Sequence, residues 1–160
     1  MSMMEYKRKA LCELKPEEFS LFAKTVSETD AVLFAGMSGN YDPVYMNQQY
    51  AEETEYGGRI IDPMLLAAMA GGAVFRLLSP GAVCVRREWE TLRTLASGST
   101  VTVRAEVESV DEEASEVTVL LECYDDRKEL VMRGRSVERI TFPAAAGAAG
   151  QEPGEKEAQA

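Results

Sequence analysis

The sequence predicts an α+β fold in which an antiparallel sheet wraps around a buried central helix. Residues 62–78 indicate a helix that is apolar on nearly every side, and such a helix is buried on every side. After it, segments with alternating apolar and polar residues follow one another up to residue 140, a pattern typical of antiparallel strands. One sheet packed on one helix is a two-layer arrangement of the α+β kind.

The chain before the central helix begins with a strand and a helix. Residues 18–26, EFSLFAKTV, partly alternate and contain aromatic and β-branched residues, so they predict a strand. Ser27 and Asp30 have the spacing of a capping box, with Asp in place of the usual Glu or Gln. The apolar run that follows predicts a helix from about residue 28 to 37.

Two further segments lead to the central helix. Gly, Asn, Asp and Pro cluster in residues 38–44, which predicts a loop. Residues 47–55, NQQYAEETE, predict a short surface helix. The central helix then starts with Asp62 at the N-cap position and Pro63 at the first helical position.

The segment after the central helix is predicted to be all strand. Turn residues such as Ser97-Gly98 separate long segments with period-2 stretches, and we expect these strands to form an antiparallel meander. Such a sheet leaves edge strands open, and pairing of edges between subunits is a common remedy. The predicted strands cover residues 83–95, 100–110, 116–124 and 130–140.

The chain divides into one folded domain and two flanking segments. With 160 residues it is long enough for one domain with a proper core, and we assign that domain to residues 18–142. Residues 1–17 are predicted to be an N-terminal arm. Residues 143–160, rich in Ala, Gly, Pro and Glu, cannot bury enough apolar surface to offset their ordering entropy and are predicted to be a disordered tail.

The charge and hydropathy of the chain exclude several classes of function. Its formal net charge is −10, which disfavours binding to nucleic acid or to anionic membranes. No apolar run reaches the roughly 18 residues that a membrane span requires, and the N-terminus does not resemble a secretory signal. We therefore expect a cytoplasmic protein. Arg86–Arg87 and Arg133/Arg135 are the candidates for a local basic cluster that would receive an anionic ligand.

The chain contains no histidine, and this restricts its chemistry. Histidine is the commonest general base and the commonest metal ligand in proteins. The three cysteines are far apart in sequence and lack the spacing of metal ligands, so we expect packed, reduced thiols. We therefore expect no metal site and no cofactor, and any catalysis would depend on carboxylates, tyrosine, lysine, cysteine or backbone groups.

Residues 38–72, SGNYDPVYMNQQYAEETEYGGRIIDPMLLAAMAGG, resemble the core of the MaoC-like hydratase/dehydratase family, which includes the (R)-specific enoyl-CoA hydratases. The likeness covers roughly residues 19–140, with KTVSETDAVLFAGMSG before this run and GSTVTV after it in matching order and spacing. The resemblance implies a hot-dog fold, dimers whose sheets are continuous across the interface, and substrates that are acyl groups on a CoA or carrier-protein thioester.

The loop of this chain departs from the pattern that the resemblance implies. Active members carry Asp, then an Asn-Pro pair, then His, and the Asp and His activate the water that adds to the enoyl double bond. Here Asn40 stands at the Asp position, Asp42 at the Asn position and Tyr45 at the His position, while Pro43 is retained. An amide takes up no proton near neutral pH, and a tyrosine with a pKa near 10 is a poor base.

The start of the central helix departs from the pattern as well. The resemblance implies a His-Gly pair whose glycine N–H polarises the thioester carbonyl, but Asp62-Pro63 stands there. Proline has no N–H to donate, and loss of one such donor typically costs about 2.7–4 kcal/mol of transition-state stabilisation. A charged Asp62 would also repel a developing enolate oxygen.

Three hypotheses of function follow. In the first, the chain is a non-catalytic subunit that binds an acyl thioester and pairs with a catalytically intact paralogue. In the second, it is a hydro-lyase, an enoyl-CoA hydratase or 3-hydroxyacyl dehydratase, with Asp42 or Asp62 as base and Tyr45 as proton donor. In the third, it is a homodimer that senses or carries an acyl ligand. The candidate ligand-binding residues are Asn40, Asp42, Tyr45, Asp62, Pro63 and Met64.

Each of these residues also has a purely structural interpretation. Asn40 and Asp42 suit a turn, and Tyr45 suits a packed aromatic position. Asp62 suits a helix N-cap, and Met64 suits the core or the lining of an acyl pocket.

Overall fold

A computed structural model describes residues 10–78 and 80–141 of the chain. A 3-10 turn at Leu11–Glu13 precedes a sheet of five strands and a set of four helices. In chain order the elements are β1 (Phe19–Thr25), α1 (Glu28–Ser38), α2 (Pro43–Met46), α3 (Gln48–Glu52), α4 (Pro63–Leu78), β2 (Ala82–Thr91), β3 (Thr100–Asp111), β4 (Glu116–Tyr124) and β5 (Leu130–Ile140).

The strands form one antiparallel sheet in the order β1-β3-β4-β5-β2, so the α+β prediction is confirmed. The predicted meander is correct for β3, β4 and β5 but wrong for β2, which pairs with β5 and not with β3. The predicted strand over 83–95 also ends early, at Thr91. The segment after it crosses the start of α4, where Leu95 accepts a hydrogen bond from the Ile61 N–H at 2.8 Å.

Helix α4 packs on one face of the sheet, mainly against β1 and β3. One face of the helix is in the core, but the prediction that the helix is buried on every side is wrong. Met64 and Phe75 are 51% and 50% exposed, and Ala68, one turn after Met64, is exposed as well. The buried residues of α4 are Leu66, Ala67, Ala70, Ala73, Val74, Leu77 and Leu78.

Helices α1, α2 and α3 lie between β1 and α4 in the chain. The predicted capping box is confirmed, because the Ser27 side chain accepts from the Asp30 N–H and the Asp30 carboxylate accepts from the Ser27 N–H. Helix α2 was not predicted: residues 43 and 44 belong to the loop predicted over 38–44, and residues 45 and 46 were assigned to no element. The short helix predicted over 47–55 is present as α3.

The core lies between α4 and the inward face of the sheet, where β4 alternates strictly between buried and half-buried residues. In the described part of the predicted arm, Leu11 and Leu14 are buried in this core. The predicted disordered tail lies outside the described residues. In the described ranges, no helix is long and apolar enough to span a membrane.

Candidate functional site

The candidate site is a small cleft where the loop after α1, the start of α2 and the start of α4 meet. Its cavity volume is about 10 Å³, far below the roughly 300–1,000 Å³ typical of ligand pockets. A single chain therefore leaves little room for an acyl group there. The lining residues are Ala31, Phe34, Ala35, Asn40, Tyr45, Met46, Asp62 and Leu65.

Asp62 caps the N-terminus of α4 with its side chain. Its Oδ1 accepts a hydrogen bond from the Met64 N–H at 2.7 Å, and its backbone carbonyl accepts from the Leu65 N–H at 2.9 Å. Aspartate is among the preferred N-cap residues because its oxygen satisfies an N–H that the helix leaves unpaired. Asp62 as a residue is 9% exposed, so it is largely buried where it lines the cleft.

Asn40 is hydrogen-bonded to the same carboxylate from the other side of the cleft. Its Nδ2 donates to Asp62 Oδ2 at 2.9 Å, although the two residues are 22 positions apart in the chain. The amide oxygen of Asn40 accepts from the Asp42 N–H at 3.3 Å. Asn40 therefore fixes the loop after α1 to the first turn of α4.

Asp42 is an N-cap residue, because its Oδ1 accepts from the Val44 N–H at 3.0 Å and Pro43 opens helix α2. The side chain is exposed. In this position the carboxylate fixes a turn, which agrees with the structural interpretation of the sequence. That it also contacts a ligand stays a prediction.

Tyr45 lies half-buried on α2 and lines the cleft. Burial raises the pKa of its hydroxyl above the ordinary value, and the negative charges of Asp62 and Asp42 raise it further. The hydroxyl is therefore neutral at neutral pH. A raised pKa makes Tyr45 a weaker proton donor than an ordinary tyrosine, and its role as a proton donor stays a prediction.

The start of α4 has no N–H group free for a carbonyl oxygen. Pro63 has none to donate, and the N–H of Met64 is bonded to the Asp62 side chain. The next N–H, of Leu65, is bonded to the Asp62 carbonyl. The Met64 side chain is half-exposed, so its assignment to the core is wrong for a single chain, whereas lining of a ligand stays a prediction.

The arginines that were candidates for a basic cluster are paired with glutamates. Arg87 lies 2.8 Å from Glu138, which is 3% exposed, and the other three pair with glutamates on the surface. Carboxylates within 4 Å offset the charges of all four arginines, so the described residues do not present the expected basic cluster. The surface pairs are Arg86–Glu88, Arg133–Glu90 and Arg135–Glu108.

Sequence reasoning missed the contribution of α1 to the cleft. Ala31, Phe34 and Ala35 form its apolar wall, and the apolar run AVLFAG was the signal that could have indicated it. Arg59 also pairs with Glu28 at the start of α1. In the described residues no three His, Cys, Asp or Glu side chains are grouped so as to hold a metal ion.

The chain matches the sequence pattern of the MaoC like domain over residues 15–123. It is also similar to an (R)-specific enoyl-CoA hydratase from Rhodospirillum rubrum, with 33% identity over 112 residues. That alignment covers 69% of this chain and 78% of the relative.

Two solved structures have a similar fold. An (R)-hydratase from Pseudomonas aeruginosa superposes with a TM-score of 0.77 at 22% identity, over 92% of this chain and 96% of that one. A chain of the ChsH1-ChsH2 complex from Mycobacterium tuberculosis superposes with a TM-score of 0.71 at 12% identity, over 79% of this chain and 98% of that one. At these identities the likeness concerns the fold.

Proposed function

Since the chain belongs to the MaoC-like hydratase/dehydratase family and has its hot-dog fold, we propose that it is a non-catalytic subunit of an acyl-thioester hydratase. It binds the acyl-CoA or acyl-carrier thioester together with a catalytically intact paralogue, and the paralogue supplies the groups that activate water.

The observation that carries this proposal is the closed N-terminus of α4. The Asp62 carboxylate accepts the Met64 N–H at 2.7 Å, and Pro63 has no N–H. A thioester carbonyl at this position would meet a carboxylate instead of a donor. Because an enolate oxygen develops negative charge, this arrangement destabilises the transition state that the family's reaction requires.

The acid and base positions support the same proposal. Asn40 uses its amide to hold Asp62, and Asp42 uses its carboxylate to cap α2. Tyr45 has a pKa raised by burial and by the two carboxylates. A general base must accept a proton near the operating pH, and neither an amide nor a neutral tyrosine does so.

Exposed apolar residues on α4 and β2 support an assembly with a second subunit. The exposed stripe of α4 formed by Met64, Ala68 and Phe75 is apolar, and Val83 and Val85 on β2 are 52% and 45% exposed. Apolar side chains on a helix and on the neighbouring edge strand are typical of a protein interface. We propose that the paralogue covers this stripe, in keeping with a related fold that occurs in the ChsH1-ChsH2 complex.

A reducing, cytoplasmic location is part of the proposal. Cys12, Cys84 and Cys123 are all free, and unpaired cysteines suit a reducing compartment.

Native mass spectrometry of the protein purified from its own cells tests the proposal. We expect a heteromer in which a second chain with an Asp and a His in the loop accompanies this one, and a mass increase when an acyl-CoA such as crotonyl-CoA is added. A homomer that binds no acyl-CoA would contradict the proposal. A homomer that retains an acyl ligand without turnover would support the sensor or carrier hypothesis instead.

A further inference from the structure

The sheet has two edge strands, β1 and β2, and their outward backbone groups can be assigned from the register. The Val107 N–H donates to the Glu18 carbonyl at 2.8 Å, and the Val26 N–H donates to the Ser99 carbonyl at 3.0 Å. Residues of an antiparallel strand face the neighbouring strand alternately. The even-numbered residues of β1 therefore face β3, and Leu21 and Ala23 direct their N–H and C=O groups to the open edge.

Arg76 on α4 occupies the middle of this open edge. Its Nη1 donates to the Leu21 carbonyl oxygen at 3.1 Å, and the guanidinium carbon lies 4.9 Å from the centre of the Phe22 ring. Among the residues described by the structure, no carboxylate forms an ion pair with Arg76. Its hydrogen bond and its ring contact are both with β1.

The packing of α4 on β1 holds Arg76 in this position. Gly72 faces Phe22 so closely that an added Cβ would lie 3.5 Å from the ring. Ser20 Oγ donates to the Ala73 carbonyl at 2.6 Å. Arg76 follows Gly72 by one helical turn and so lies on the same face of α4, which brings its guanidinium to the strand edge.

The edge formed by β2 differs from the β1 edge in how its outward backbone groups are paired. The Leu92 N–H donates to the Val131 carbonyl at 2.9 Å, so the even-numbered residues that follow the bulge between Cys84 and Arg86 face β5. Arg87, Trp89 and Thr91 therefore direct their backbone groups outward. In residues 10–78 and 80–141 no side chain is hydrogen-bonded to these outward groups, in contrast to Leu21 on the opposite edge.

We propose that Arg76 closes the β1 edge of the sheet to strand addition by a second copy of this chain. An unprotected sheet edge is a template for pairing, and a charged side chain placed on it is a known form of protection. Removal of the guanidinium would expose the Leu21 carbonyl beside Phe19 and Leu21, which are 54% and 49% exposed.

Sedimentation analysis of Arg76→Met over a wide range of protein concentration tests this. Methionine keeps an apolar stem over Phe22 but has no donor for Leu21. We expect the wild-type mass to be independent of concentration and the variant to reach at least twice that mass. Arg127→Met, which removes an exposed arginine from a turn, is the matched control and should behave as wild type.

A second substitution tests whether the Arg76→Met variant associates through β1. The Ala23 N–H faces the open edge, so Ala23→Pro removes a donor that β3 does not use. The double variant Arg76→Met/Ala23→Pro should return to the wild-type mass. Wild-type mass for Arg76→Met at every concentration, or large species that persist in the double variant, would overturn the proposal.

Hydrogen exchange of the wild-type protein tests the proposal without any substitution. We expect rapid exchange of the Leu21 and Ala23 amides, because no second strand pairs with the β1 edge. Protection of Leu21 and Ala23 in the wild type would overturn the proposal. Mass and amide exchange are independent of turnover, so this inference can fail while the proposed loss of catalysis holds, and the converse is also true.

Discussion

The side chain of Asn40 donates a hydrogen bond to the carboxylate of Asp62, with 2.9 Å between Nδ2 and Oδ2. This bond joins two positions at which the chain departs from the pattern of active family members. The amide satisfies one oxygen of a buried carboxylate, and the Met64 N–H satisfies the other. The two side chains therefore stabilise each other, in agreement with the proposal that this site serves structure and not catalysis.

The first prediction concerns this pair. Asn40→Ala removes the donor to Asp62 Oδ2 and leaves the carboxylate of this residue, which as a whole is 9% exposed, without that partner. We expect a loss of roughly 1–3 kcal/mol in the free energy of unfolding, measured by urea denaturation. Gln49→Ala, an exposed change on α3, is the control and should alter stability by less than about 0.5 kcal/mol. Equal stability of the two variants would show that the bond contributes nothing.

The second prediction concerns the pH dependence of the α1 cap. Hydrogen bonds from Lys24 and Ser27 lower the pKa of Asp30 to about 2. A group with a lowered folded-state pKa contributes stability above its unfolded pKa of roughly 3.9, and this contribution is lost as the pH falls towards 2. Asp30→Asn should therefore be less stable than wild type at neutral pH.

Because solvent screens this pair, we expect a difference of roughly 0.2–1 kcal/mol, which should vanish as the pH approaches about 2. Denaturation curves of both proteins across the acid range measure it. Asp126→Asn, in an exposed turn, provides the control. A difference that grows on acidification would contradict the prediction.

The third prediction concerns the thiols. Burial raises the pKa of Cys123 to about 12, and since the thiolate is the reactive form, Cys123 should resist alkylation in the folded protein at mildly alkaline pH. Cys12 and Cys84 are exposed, but burial and the charge of Glu138 raise the pKa of Cys84. Mass spectrometry after iodoacetamide treatment should show Cys12 modified first, Cys84 next and Cys123 only after unfolding. Early modification of Cys123 would be inconsistent with its burial.

The fourth prediction concerns Gly134 on β5. A Cβ added there would lie 2.1 Å from the Glu88 carbonyl oxygen and 2.7 Å from the Trp89 ring. Gly134→Ala should therefore cost roughly 1–3 kcal/mol or more, because backbone must shift. For Gly36→Ala we expect no loss of stability. Its Cβ would meet only the Tyr41 hydroxyl at 3.7 Å, and alanine is favoured over glycine within a helix.

Thermal unfolding of both glycine variants checks this prediction. A lower melting temperature for Gly134→Ala together with an equal or higher one for Gly36→Ala is expected. If Gly134→Ala melts like the wild type, the close approach of β2 and β5 at this position is incorrect.

Many helices and strands could be predicted because the local pattern of apolar and polar residues determines them. The segment over residues 116–124 alternates between polar and apolar residues except at Leu120, and β4 has the same bounds. The place of β2 could not be predicted, since alternation shows which face a residue occupies but not which strand it pairs with. The exposure of Met64 and Phe75 was missed for a related reason: an apolar helix surface has the same sequence whether the core or another subunit covers it.

Only those features of the site that depend on residues close in sequence could be predicted. Asp62 followed by Pro63 is a helix start that the sequence itself defines, and the structure has the cap there. The bond from Asn40 to Asp62 joins residues 22 positions apart, so it depends on how the loop after α1 meets the start of α4. No spacing rule for the sequence contains that information.

The proposed loss of catalysis rests on two features of the described residues: the start of α4 has no free N–H, and the carboxylates of Asp42 and Asp62 serve as helix caps. The measurement that tests this most directly is the hydration of crotonyl-CoA by the purified chain, free of any other polypeptide. We expect no turnover above the uncatalysed rate. Steady turnover that is lost in Asp42→Asn or Asp62→Asn would contradict the account and identify the carboxylate that acts as the base.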